Sequence, residues 1–430
     1  MNRDILRLAI PNIISNITVP LLGLVDIAIV GRLDSENYIG AIAVATTIFN
    51  FIYWNFAFLR MGTSGFTAQA YGAENRQEQA DILLRSLAVA FVCALAIIGL
   101  QYFVLRFGFF LLDAGHEVKE YAGHYFCIYI WAAPAVLGMY AFNGWFVGMQ
   151  DAKTPMYIAI GINVINIGLS FFFVYVLHMK IEGVALASVC AQYSGLIASM
   201  CICFTKYKGL KNLVDIKVLK NIRGYNTFFR VNSDIFIRTL ALVAVTTFFM
   251  SASTKQGDDI LAVNALLMQL FILFSYFMDG FAYAAEALTG KFVGAKRKDM
   301  LNVLIKQLFG WGLGIVILFT IAYGLFFEQI LSILTDKDAI KVMAKEYQIW
   351  VVLIPVCGVS AFLWDGIFIG ATASKQMRNS MLVAAGTFFC LYWLFNSHFT
   401  NNSLWIMFLS YLAMRGIMQF FLYPSVCKRS

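Results

Sequence analysis

Charge is scarce in this chain. Asp, Glu, Lys and Arg make up 13% of its 430 residues, against about 25% in a soluble globular domain. A 48.2 kDa globule clothed so thinly in charge would not be solvated by water, which excludes a soluble enzyme. The 60% of apolar residues excludes a disordered chain. No basic stretch has the interleaved polarity of a nucleic-acid surface, so the net charge of +8 is read as membrane topology and no nucleic-acid partner is expected. The signatures GxGxxG, GxxxxGK[ST] and HExxH are absent; no catalytic activity and no cofactor are expected, and transport powered by ATP would need a partner chain. The histidines His116, His124, His178 and His398 lie near the ends of apolar runs and outline no proton relay. Eight cysteines are scattered without a CxxC or a Cys/His ligand spacing, and are expected to be small core residues rather than metal ligands or a disulfide frame. The first apolar run, Ile5 to Val30, lacks a small-residue cleavage site and exceeds the roughly 7–15 residues of a signal-peptide core, so it is expected to stay in the mature chain.

Long apolar runs, by contrast, are abundant. A bilayer core is crossed by about 20 apolar residues in a helix, and twelve such runs are present, near 5–31, 38–71, 82–107, 121–148, 155–178 and 183–205, then 225–252, 260–291, 301–327, 344–370, 378–397 and 403–424. Strict alternation is absent and unpaired backbone is not tolerated in lipid, so these are helices and not barrel strands. The runs 38–71 and 260–291 exceed a simple span and should tilt or protrude. Of the cations, 21 fall on one set of loops and termini, eight on the other, and Arg60, Arg238 and Arg415 within spans. Both termini are therefore expected in the cytoplasm. The larger set includes Lys211, Lys217, Lys220, Arg223, Lys428 and Arg429; Arg32 belongs to the smaller, on the side where Asp113 and other acids cluster.

The chain also repeats itself. A basic stretch, residues 206–224, divides the spans six and six and reads as a cytoplasmic linker between an N-terminal lobe over 1–205 and a C-terminal lobe over 225–430. A shift of 222 positions places Thr67 on Thr289, Gly72-Ala73 on Gly294-Ala295, and Gly144, Gly148 and Lys153 on Gly366, Gly370 and Lys375. Six spans per copy is an even number, so the second copy enters the membrane in the same direction as the first: a parallel repeat. The expected fold is all-α integral membrane, twelve transmembrane helices in two six-helix lobes, a plan suited to alternating access.

An ionisable side chain at the bilayer centre costs about 2.5 kcal/mol or more, so each one within a span needs a reason. Asp26 lies deep in the first span with no basic residue three or four positions away. Either it is buried with a partner from another helix or held protonated, or it alternately binds and releases a cation, since burial favours the neutral carboxyl and neighbouring donors favour the charged one. Pro11 and Pro20 on the same span can localise a bend. The fifth span carries Asn163, Asn166 and Ser170, the last two one helical turn apart, and the sixth carries Ser188; these are packing groups or neutral ligands around Asp26. In the second half, Arg230, Asp234 and Arg238 are spaced by four, so Asp234 is expected to pair along its own helix. Asp279 and Glu286 share a face of the eighth span, and Asp365 takes the repeat position of Asn143; this polar cluster lines a cleft or locks the lobe. The 16% of aromatics and 17 methionines suit a cleft for bulky, partly apolar ligands.

The strings NIISNITVPLLGLVDIAIVGRL (12–33), FLRMGTSGFTAQAYG (58–72), RVNSDIFIRTL (230–240), DGFAYAAEALTGKFVGA (279–295) and WDGIFIGATASKQMRN (364–379) resemble the multidrug and toxic compound extrusion (MATE) family, the last four its DinF (DNA-damage-inducible protein F) branch. The resemblance spans essentially the whole chain. It implies a two-lobed exporter of organic, amphiphilic or cationic compounds in exchange for H⁺ or Na⁺, acting as a monomer among the lipids of the plasma membrane, the inner membrane of a bacterium. It places Asp26 at the family's coupling aspartate, with Asn166 and Ser188 as polar partners. Ser170 departs from the pattern, since relatives often carry a second acid there. H⁺ is therefore favoured as coupling ion, with Na⁺ at Asp26 the other candidate and no other metal expected. The alternative reading is a flippase for a lipid-linked glycan, which would need a more cationic cleft.

Overall fold

The computed structural model describes residues 1–31, 37–112, 115–209, 222–395 and 399–427, with 213, 215, 218 and 219 between. Arg32, Asp113, Lys211, Lys217, Lys220, His398, Lys428 and Arg429, the side chain of Arg223 and most of the linker 206–224 lie outside the described residues. What is described is helical, with no strand among those residues: α1 Asn2–Val30, α2 Asn37–Asn55, α3 Phe58–Gly72, α4 Arg76–Gly99, α5 Gln101–Leu111, α6 His116–Tyr129, α7 Ala133–Gly148, α8 Lys153–Phe171, α9 Ile181–Lys206, α10 Ile222–Thr254, α11 Asp258–Gly294, α12 Lys298–Leu325, α13 Phe327–Leu334, α14 Asp338–Glu346, α15 Gln348–Gly370, α16 Ser374–Leu394 and α17 Asn401–Cys427. Among the described residues ten segments are long and apolar enough to cross a membrane. With α1 and α16 they make up twelve spans.

Two compact units divide the chain, one over 14–229 and one over 1–13 with 230–430. The division cuts α1 after Ile13 and α10 after Phe229, so the first turns of α1 belong with the second unit: a Cβ on Gly280 of α11 would meet the Ala9 carbonyl at 2.9 Å. The repeat is visible in how helices approach. In the first unit a Cβ on Gly144 would strike the Arg60 carbonyl at 2.3 Å, and one on Gly148 would strike Thr67 at 2.6 Å. At the positions 222 further on, Gly366 meets the Ala282 carbonyl at 2.2 Å and Gly370 meets Thr289 at 2.9 Å. The glycines let α7 lie on α3, and α15 on α11, backbone to backbone. The helix ends repeat too. Glu74 and Lys296 both take φ +55°, and Gln150 and Thr372 take φ +62° and +51°, each the left-handed residue that closes a helix by returning amides to the last turn.

The long runs resolve differently from one another. The run 260–291 becomes the unbroken α11, whose 37 residues extend about 55 Å, well beyond a core of about 30 Å. The run 38–71 makes one membrane segment but not one straight helix: it breaks at Phe56 and Ala57, whose amides turn back to the Tyr53 and Trp54 carbonyls at 3.0 and 3.2 Å. The Asn55 amide takes the Phe51 carbonyl at 2.5 Å, competing with the backbone for it. The repeat position of Asn55 is Phe277, which offers no such competitor. The run 82–107 is likewise divided, at Leu100 between α4 and α5, and 344–370 begins at Gln348 after the short α14. The cysteines are not core residues as a class: Cys203 is buried, but Cys127, Cys201 and Cys390 are exposed, because the lipid-facing surface accepts a small apolar side chain as readily as the interior does.

Candidate functional site

Asp26 lies near the end of α1 with 8% of its surface exposed. Its Oδ1 is buried without a hydrogen-bond partner, and among the described residues no Lys, Arg or His pairs with it. Tyr125 and Tyr129 of α6 are within electrostatic reach of its charge, and Tyr129 packs edge-on against Phe49 of α2 at 4.7 Å. Phe49 stacks on Phe126 at 4.8 Å and on Tyr53 at 5.7 Å. Tyr53 is buried, its hydroxyl unbonded. These tyrosines were not singled out from the sequence. The signal was available: Tyr121, Tyr125 and Tyr129 recur every four residues and so form one stripe of α6.

The neutral groups expected beside Asp26 do meet. Asn166 Nδ2 donates to Ser188 Oγ at 2.8 Å, and Ser170 Oγ donates to Asn166 Oδ1 at 3.4 Å, the contact that their spacing of one turn predicts. All three are buried. Ser188 also lies close to Tyr125 of α6. Asn163 Nδ2 donates to the Thr18 carbonyl at 2.9 Å and ties α8 to α1 ahead of Pro20.

The second unit treats its charges otherwise. Arg238 of α10 and Arg415 of α17 both donate to Asp365 Oδ2, and Gln419 donates to Oδ1. Every member is at most 7% exposed. Asp279 of α11 is within electrostatic reach of Arg415, and Glu286 is buried at 1%. The expected pairing of Asp234 along its own helix is wrong. Its carboxylate accepts from Ser374 Oγ at 2.8 Å and Arg378 Nη1 at 2.6 Å, because α16 brings a guanidinium to it while Arg238 turns into the lobe toward Asp365. Asp365 itself ties α10, α15 and α17 together. No group of three or more His, Cys, Asp or Glu side chains among the described residues is placed to hold a metal ion.

Between α7 and α8, outside the spans, Asp151 accepts from Lys206 Nζ at 2.6 Å, from the Thr154 hydroxyl at 2.6 Å and from the Tyr207 hydroxyl at 3.2 Å. Burial alone would push this carboxyl up; the Lys206 and Thr154 hydrogen bonds and the ammonium charge outweigh it and hold it below the usual carboxylate range. A group depressed in the folded state contributes stability that is present above its unfolded value and lost as pH falls through the folded one. Asp151→Asn is therefore expected to lower the melting temperature in detergent by a few degrees near neutral pH and to have little effect once the parent carboxyl is protonated in acid; an equal loss at both pH values would show that the contact acts through packing alone.

The comparisons agree with this architecture and explain the repeat. The MatE family model matches the chain twice, over 11–172 and over 235–394. The chain is 38% identical over 419 residues, 96% of its length, to the DNA damage-inducible protein F of Escherichia coli, covering 89% of that protein. It is 26% identical over 413 residues, 90% of its length, to the chloroplastic protein DETOXIFICATION 45 of Arabidopsis thaliana, covering 72% of it. A solved structure described as the outward-facing conformation of a multidrug resistance MATE family transporter superposes with a TM-score of 0.86 at 19% identity, with 100% of this chain and 96% of that one covered. A twofold family match across both lobes, with identity of this level over nearly the whole length, assigns the chain to the MatE family of membrane transporters, on the branch represented by DNA damage-inducible protein F.

Proposed function

We propose that the chain exports organic small molecules, amphiphilic or cationic, in exchange for protons, with Asp26 as the coupling carboxylate. The observation that carries this reading is the contrast between three aspartates: Asp26 is buried with one oxygen unbonded and no cation paired with it among the described residues, whereas Asp365 and Asp234 are held by guanidinium groups. A buried carboxyl without a counter-charge is neutralised at least cost by a proton. A sodium ion asks for several converging oxygens, but Asn166 turns its oxygen to Ser170 and its amide to Ser188, and a second acid is missing at Ser170.

With Asp26 ionised the transporter accepts substrate from the cytoplasmic side. Protonation from outside then removes the negative charge that favoured the ligand. Each ligand drives the cycle only by binding one state better than the other. Pro11 and Pro20 of α1 lack the amide that a helix interior uses and can localise a bend for that change to act on. In this reading both termini are cytoplasmic, the protein works as a monomer in the plasma membrane, and alternating access runs between the lobes. A glycan-lipid flippase is the poorer fit, because two of the three arginines within spans are occupied by Asp365.

Proteoliposomes carrying H⁺ and Na⁺ gradients imposed separately test the reading. Accumulation of the dye ethidium is expected with the proton gradient and not with the sodium gradient. Accumulation driven by sodium alone would overturn the assignment of the ion; gradient-independent translocation of a lipid-linked glycan would overturn the substrate class.

A further inference from the structure

Where α3, α4 and the start of α10 meet in the N-terminal unit, a cavity of about 210 Å³ is lined by Phe66, Glu78, Ile82, Arg85, Thr227 and Phe228. It is smaller than the roughly 300–1,000 Å³ of a site for a drug-sized ligand. Arg85 is 8% exposed, and its Nε is buried without a hydrogen-bond partner. The acids beside it do not saturate it: Nη1 stands 3.5 Å from Glu78 Oε1 and Nη2 stands 4.0 Å from Asp81 Oδ2, whereas a charge-assisted hydrogen bond is about 2.7–2.9 Å long. Asp81 has its other oxygen on Gln77 Nε2 at 2.8 Å. The Glu78 side chain is 44% exposed, so the rim of the cavity can be reached from outside. Phe66 and Phe228 stack with their centroids 6.0 Å apart. All three helices put this cavity at the edge of the bilayer. Glu78 and Asp81 precede the apolar stretch of α4 that begins at Ile82, Thr227 and Phe228 stand in the first turn of the span Tyr225–Thr254, and Phe66 is near the end of the span Asn37–Gly72. The charges are no relic of the repeat. The shift of 222 places Glu78, Asp81 and Arg85 on Met300, Val303 and Gln307, so the packing of the repeated unit does without them.

We propose that this cavity seats the headgroup of a membrane phospholipid that carries both a phosphodiester and a primary ammonium, as phosphatidylethanolamine does. The phosphodiester supplies the oxygens that Arg85 lacks, since a guanidinium fork matches two oxygens of one phosphate. The ammonium is taken by the Glu78 carboxylate. Two carboxylates beside one guanidinium leave an excess of negative charge, which turns away a purely anionic headgroup or a free phosphate ion and suits a headgroup that brings its own cation. The cavity is too small for acyl chains; these stay in the bilayer, with the Phe66 and Phe228 pair as apolar surface for the glycerol end. A lipid seated here joins α4 to the part of α10 that belongs with the N-terminal unit. The proposal needs only that the chain spans a bilayer, and it is independent of the coupling ion and of Asp26.

The test uses the full chain purified in detergent, with native mass spectrometry counting the lipid retained from equal concentrations of phosphatidylethanolamine, phosphatidylglycerol and phosphatidylcholine. The parent is expected to retain phosphatidylethanolamine about fivefold more than the other two, the size of one partly exposed ionic contact. Phosphatidylglycerol has no ammonium, and the methylated ammonium of phosphatidylcholine has no hydrogen to donate. Glu78→Gln should abolish the preference, so that the three lipids are retained alike. Arg85→Gln should lower the retention of all three about tenfold, the loss of one charge-assisted phosphate contact. Melting curves show which variants are folded, and Glu78→Gln, at a partly exposed position, decides the matter by itself if Arg85→Gln is not. Equal retention of the three lipids by the parent, or an unchanged preference in Glu78→Gln, overturns the proposal. Displacement of the lipid by an equal concentration of glycerophosphoethanolamine, the same headgroup without chains, or of inorganic phosphate would make the ligand a soluble one and overturn the lipid as its source.

Discussion

Asp26→Asn is expected to abolish ethidium accumulation driven by a proton gradient while leaving the protein folded. The amide has the shape of the carboxyl but neither binds nor releases a proton near neutral pH, so the two states of the transporter lose the difference in ligand affinity that the gradient acts on. The fold should tolerate the exchange, with a stability change within about 1 kcal/mol, because among the described residues Asp26 has no ion pair to break and its Oδ1 has no hydrogen bond to lose. Gradient-independent exchange of ethidium should weaken as well, since the amide, like the protonated carboxyl, lacks the negative charge that favours a cationic ligand. Vesicles that still accumulate the dye with Asn at this position would remove Asp26 from its central role.

The C-terminal unit should answer the same kind of substitution in the opposite way. Asp365→Asn leaves the Arg238 and Arg415 guanidinium groups buried side by side, 7% and 3% exposed, with the anion that both of them bind taken away. Removing one partner from a buried ion cluster costs about 3–5 kcal/mol, and the expected result is a melting temperature lower by several degrees with reduced yield in the membrane. Replacing the whole group, Arg238→Met with Asp365→Leu and Arg415→Met, removes the charges together with the need to pair them and should recover most of that loss. A single substitution at Asp365 that stopped transport without moving the melting temperature would show instead that this carboxylate works in the cycle.

These two outcomes together express how the chain has divided its intramembrane acids. Both lobes descend from one repeated unit, and the glycine contacts at Gly144 and Gly366, Gly148 and Gly370 preserve it. The ionisable groups were not kept in register: Asp26 falls against Phe248 by the shift of 222, and Asp365 against Asn143. One lobe holds a carboxyl open to change, and the other holds one fixed by arginines.

The scarcity of charge, the twelve apolar runs and the spacing of 222 were legible in the sequence, because lipid solvation and helix length act on composition and periodicity, which need no neighbours to be read. Asn166 and Ser170 were legible for the same reason, being one turn apart on one helix. The break in the run 38–71 had its cause written at Asn55, yet its place depended on a side chain winning a carbonyl from the backbone, a competition between contacts of similar strength. Only the tertiary structure decided which charges meet. Asp234, Arg238 and Asp365 looked alike as acids and bases within apolar spans, and the spacing by four favoured a pair along one helix; the packing of α10 on α15, α16 and α17 sent each to another partner. Whether a buried charge is paired depends on helices far away in sequence, and that is why the lack of a cation paired with Asp26 among the described residues emerged from the fold, while the stripe of tyrosines on α6 was already written in their spacing.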